Sequence, residues 1–211
     1  MSNIEDVLVD VRKAYRLLHV FNSRIIDLMK YIETAFGMEF AGGMSLFTAD
    51  TPGNWKYRFN NWVWDFFNLY CYQFRFNSNT TWLSVILQSD TGLWDKIKDF
   101  SDPDEFDEKQ DKVDLFNSPE DSKTRIFFVT GNGKWSEDKI QILYEKNLNK
   151  NIENDGVLDK GKRGKIWYKM FEISKFIDEE TTLKTLDEFI GFLSFNDFNK
   201  IKIVKKGSTQ T

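Results

Sequence analysis

Cysteine and histidine each occur once in the 211-residue chain, as Cys71 and His19. Zinc is held by several thiolate or imidazole ligands, so this sequence comes close to excluding a zinc centre, and no metal site is expected. A single cysteine forms no intramolecular disulfide, which fits a reducing compartment and a cytoplasmic location. Cys–His nucleophilic catalysis is poorly supplied too. Cys71 falls within an apolar strand-like run, where a thiol is inert packing, and His19 lies at the edge of a helical stripe. No apolar run approaches the roughly 20 residues of a membrane span, so a soluble chain with no membrane contact is expected. The opening MSNIEDVLVDVRK lacks the uninterrupted apolar core of a secretory signal. Positive charge is short as well. The formal net charge is −4, so nucleic acid would be held only through a local basic patch.

Catalytic motifs are missing in the same way. Gly131-Asn132-Gly133-Lys134 is too short for a phosphate loop and reads as a hairpin turn. No G-x-S-x-G, H-E-x-x-H or dinucleotide fingerprint occurs, so no cofactor is expected and the chain leans against being an enzyme. The acidic run Asp102, Asp104, Glu105, Asp107 and Glu108 lacks the spacing of a calcium loop.

Helical periodicity is what the chain has most clearly. Ile4, Leu8, Val11, Tyr15, Leu18, Asn22, Ile25, Met29, Ile32 and Phe36 alternate steps of four and three without a slip. That spacing predicts a helix over 3–36, opened by a Ser2/Glu5 capping box and closed at Gly37. A second apolar row at Val7, Ala14, Phe21, Leu28 and Ala35 widens the stripe beyond what a two-stranded coil uses. At 1.5 Å per residue the helix runs about 50 Å, longer than a domain of this size is across, so part of it is expected to project or to meet a second copy.

Aromatic residues are the second abundance, at 16%. Trp62, Trp64, Phe66, Tyr70, Tyr72, Phe74 and Phe76 share one parity, which predicts one strand or two broken near Asn68, and further strands are expected at 81–89, 124–130, 165–177 and 201–204. A polar loop at 147–164 and a helix at 182–193 complete the pattern, with 139–146 ambiguous. The expected fold class is α+β: an antiparallel or mixed five- to six-stranded sheet packed on the long N-terminal helix and a C-terminal helix. One domain over 1–206 is expected, with an acidic mobile loop at 98–123 and a frayed tail at 207–211.

Three functional readings follow. The first is an intracellular protein–protein interaction or adaptor protein. It self-associates through Tyr15, Leu18, Asn22, Ile25 and Met29, or acts as an acidic inhibitor or immunity-type factor. A single Asn on an apolar seam can fix register and partner number. The second is nucleic-acid contact through Lys160, Lys162, Arg163 and Lys165, with Trp167 and Tyr168 nearby for stacking. The third is a metal-dependent nuclease: the order of elements resembles the restriction-endonuclease-like core. Asp65 would be its first acid, but Gln73-Phe74-Arg75 stands where Glu-x-Lys is needed, and Glu172 and Lys175 are wrongly spaced.

Overall fold

The computed structural model describes residues 4–46, 70–93, 95, 113–132, 155–159 and 161–204. Helix α1 spans Ile4–Phe36, and its end is set by backbone geometry. Gly37 sits at φ 57°, its amide donates to the Thr34 carbonyl, and the Met38 amide donates to that of Glu33. This left-handed closure is the one glycine adopts at little cost, and it satisfies two of the helix's orphan carbonyls.

Among the described residues six strands follow: β1 (Glu39–Ser45), β2 (Cys71–Asn77), β3 (Trp82–Gln88), β4 (Arg125–Gly131), β5 (Asp155–Asp159) and β6 (Lys165–Glu172). They form one sheet in the order β1-β2-β3-β4-β6-β5, and every neighbouring pair is antiparallel. The fold is therefore α+β, with a six-stranded antiparallel sheet, the long N-terminal helix and a C-terminal helix. That last element, α2 (Glu179–Phe195), is capped by Asp178, whose carboxylate accepts from the Thr181 amide at 2.8 Å.

Both faces of the sheet are packed, which is why β3 is buried along its whole length. On one face Phe74, Leu83, Val85, Ile126, Phe128 and Phe171 meet Ile25, Met29, Ile32 and Phe36 of α1 and Leu186, Phe189 and Leu193 of α2. The opposite parity contributes Cys71, Trp82, Ile86, Phe127, Val129 and Tyr168 to a second cluster, joined by Leu46 and Leu93. Two buried polar side chains on that face bond to one another, Gln73 Nε2 donating to Ser84 Oγ at 2.8 Å.

Several elements differ from expectation. Residues 39–45, which no expected strand includes, form edge strand β1, and 155–159, within the expected polar loop, form the opposite edge strand β5. The strand expected to reach Ile177 stops at Glu172 and turns into a 3-10 helix over Ile173–Phe176. Residues 201–204, expected as a strand, do not join the sheet, because they lie against the end of α1, where the Val204 amide donates to the Ala35 carbonyl. Residues 113–123 carry a 3-10 turn at Val113–Leu115 and are tied back to 89–92, with Lys123 N donating to Thr91 Oγ1 at 2.9 Å. Trp62–Leu69, residues 98–112, 139–146 and the tail 207–211 lie outside the described residues.

Candidate functional site

The sheet covers only half of α1. From Ile25 onward its stripe is core: Ile25, Met29, Ile32 and Phe36 are each 5% exposed or less. From Ile4 to Val20 every residue is exposed, although the spacing of apolar residues is unchanged. Ile4 is 72% exposed and Tyr15 69%, with Val7, Leu8, Val11 and Leu18 also open to solvent. One apolar stripe therefore runs from the hydrophobic core out along about 25 Å of uncovered helix. Leaving such side chains in water forgoes on the order of 1.5–3 kcal/mol for each large residue relative to full burial.

Charge along this half is segregated. Glu5, Asp6 and Asp10 occupy its start, and Arg12, Lys13 and Arg16 follow. Lys13 and Asp10 pair at 3.0 Å across one turn, both well exposed, so the contact contributes little on its own.

The five residues expected to form a partner surface are divided by this geometry. Tyr15 and Leu18 are exposed on the projecting half, whereas Ile25 and Met29 pack into the chain's own core and are not open to a partner. The division has a simple cause: periodicity marks the face, and the sheet reaches only as far as Ile25. Asn22 lies at the boundary, half-buried, and its Oδ1 is enclosed with no hydrogen-bond donor.

The expected basic patch is the turn between β5 and β6. Lys162 and Arg163 are exposed in a 3-10 helix over Gly161–Arg163, and Lys165 opens β6, 3.7 Å from Asp159; Lys160 lies outside the described residues. Trp167 and Tyr168 are buried on opposite faces of the sheet. Trp167 donates to the Asn196 carbonyl at 3.1 Å and packs on Phe198. Neither ring is offered beside the loop for base stacking.

The remaining candidates are dispersed. Cys71 is buried in the second-face core and His19 is exposed on projecting α1, so they do not meet. Glu172 pairs with Lys123 at 2.5 Å, while Lys175 pairs with Glu188 at 3.0 Å. Asp65 lies outside the described residues. Among the described residues no group of three His, Cys, Asp or Glu side chains is placed to hold a metal, and no helix is long and apolar enough to cross a membrane.

Two features escaped the sequence. A cleft of about 880 Å³ opens between α1, α2 and the 202–204 segment, lined by apolar Tyr31, Leu183, Ile190 and Val204 and by charges of both signs, Lys30 and Lys202 as well as Asp27, Glu179 and Asp187. Beside α2, Lys169 bridges Asp155 at 2.9 Å and Glu188 at 3.3 Å. Burial alone pulls the Lys169 pKa down, but the hydrogen bonds and charges of the two carboxylates outweigh it and leave the value raised. This network joins β5, β6 and α2.

No curated protein and no solved structure matches the chain. A family model, PM0109, matches residues 1–197, and so spans α1, all six strands and α2. The chain belongs to the PM0109 family.

Proposed function

We propose that this protein is a cytoplasmic protein–protein interaction or adaptor protein whose docking element is the projecting half of α1. One observation carries the reading: a stripe continuous with the hydrophobic core leaves the sheet at Asn22 and stays exposed to Ile4. Exposed apolar area of this extent on one face marks a contact surface in folded proteins. The element is also pre-organised, since its C-terminal half is anchored by the core and little ordering is needed on binding. Helix-in-groove and helix-on-helix recognition both use side chains at this spacing. The lone buried thiol Cys71 supports a reducing compartment.

A photo-crosslinking residue placed at position 15 in cells tests the proposal, with the same group at position 162 as control. Discrete protein adducts from position 15, absent from position 162, are expected. Adducts only from position 162, or none from either, would overturn it.

A further inference from the structure

We infer that the cleft between α1, α2 and the 202–204 segment binds a small amphiphile that carries one ammonium and one anionic group on an apolar body. The site is separate from the projecting half of α1 and does not depend on the docking role proposed there.

The first argument is size and lining. The cleft holds about 880 Å³, within the roughly 300–1,000 Å³ of clefts that take small molecules. Its apolar walls are wet: Leu183 is 39% exposed and Val204 55%, with Tyr31, Ile190 and Ile203 partly exposed beside them. An apolar ligand body removes that surface from water. The walls are also fixed in place. Asp27, Tyr31 and Thr34 share one face of α1, and Glu179, Leu183, Asp187 and Ile190 share one face of α2, while Ile32 and Phe189 anchor the two helices in the core. The third wall is held by the Val204 amide, which donates to the Ala35 carbonyl at 2.7 Å.

The second argument is charge, and it selects the ligand. Asp27 and Lys30 pair with one another at 3.2 Å. Glu179 lies in the first turn of α2, where a carboxylate offsets the positive end of the helix dipole. Asp187 and Lys202 remain, and among the described residues neither has an ion-pair or hydrogen-bond partner. Asp187 stands one turn from both Leu183 and Ile190, and Lys202 adjoins Ile203. A ligand that covers the apolar walls therefore strips water from both charges. A neutral ligand leaves the two uncompensated, and a singly charged one leaves one of them so. A ligand with both signs offsets both.

Two sources carry this chemistry: an alkyl chain with a phosphocholine-type head, and a short apolar peptide with free termini. Titration calorimetry on the full chain separates them, using decylphosphocholine below its micelle concentration and trileucine, with decyltrimethylammonium and decyl phosphate as singly charged controls. One of the two zwitterions is expected to bind one-to-one, about tenfold or more tighter than either control, and the one that binds identifies the source. Asp187→Asn and Lys202→Met are each expected to weaken that binding about tenfold while the melting temperature of the free protein stays unchanged, because both side chains are exposed. Exchanging the charges, Asp187→Lys with Lys202→Asp in one chain, is expected to recover most of the affinity that either single change loses. Absence of binding by both zwitterions, equal affinity for a singly charged control, or unchanged affinity in Asp187→Asn and Lys202→Met overturns the inference. Each of these results leaves the docking role of α1 to be decided by the position-15 adducts.

Discussion

The Val204 amide donates to the Ala35 carbonyl at 2.7 Å, so the C-terminal segment closes the end of the helix that begins the chain. The same side chain guards the turn beside it. A β-carbon on Gly37 would stand 2.8 Å from Val204 Cγ2, at a backbone φ of 57°. Gly37→Ala therefore combines left-handed strain with displacement of the 201–204 segment, and a loss of about 1–3 kcal/mol is expected in urea unfolding. An unchanged midpoint would mean that the segment is not held there in solution.

The two halves of α1 should respond differently to truncation. Met29→Ala and Ile32→Ala remove side chains packed between α1 and the sheet and should each cost about 2–5 kcal/mol. Leu8→Ala and Leu18→Ala, measured at high dilution, should change stability by less than about 0.5 kcal/mol, since neither touches the core. Equal effects in both halves would show that the projecting half is covered by its own chain.

Asn22 is the point where the two halves meet. Its enclosed Oδ1 has no donor, and an unsatisfied acceptor costs about 1–3 kcal/mol. Asn22→Leu, similar in size and apolar, should raise the unfolding free energy by about 1 kcal/mol. A lower midpoint in chemical denaturation would show that Oδ1 is satisfied in solution.

Stability should fall at both extremes of pH, for separate reasons. Asp178 is held low by the Thr181 amide and hydroxyl, and Glu172 by its hydrogen bond and attraction to Lys123. Burial raises the Glu188 pKa, but Lys175 and Lys169 outweigh it and leave it lowered. A depressed carboxyl pKa means that the unfolded chain takes up the proton first. These contributions are complete above the ordinary values of 3.8 and 4.5 and are lost as pH falls through the folded values. Lys169 has the opposite sign. Its raised pKa makes its contribution complete below 10.5 and lost as pH rises beyond it. Melting temperature should be flat from about pH 5 to 10, with a shallower acid limb in Glu188→Gln and a shallower alkaline limb in Lys169→Met.

The length and end of α1 were determined by local sequence, because helical periodicity and a left-handed glycine act through neighbours a few residues away. Strands β2, β3 and β4 were legible from local sequence too, β2 by the alternation of its aromatic residues around Phe74, and β3 and β4 as short continuous apolar runs around Val85 and Phe128, buried on both faces. The edge strands were not. Gly43 in β1 and Gly156 in β5 read as loop residues, yet each lies under a tyrosine ring of the adjacent strand, Tyr72 and Tyr168, where a β-carbon would collide. A glycine required by a ring more than ten residues away leaves no local signal. The stripe on α1 likewise specified a face without specifying its cover. Only the tertiary structure, by ending the sheet's contact at Ile25, divided that face into core and docking surface, because burial depends on which surfaces meet and not on the spacing of residues along one helix.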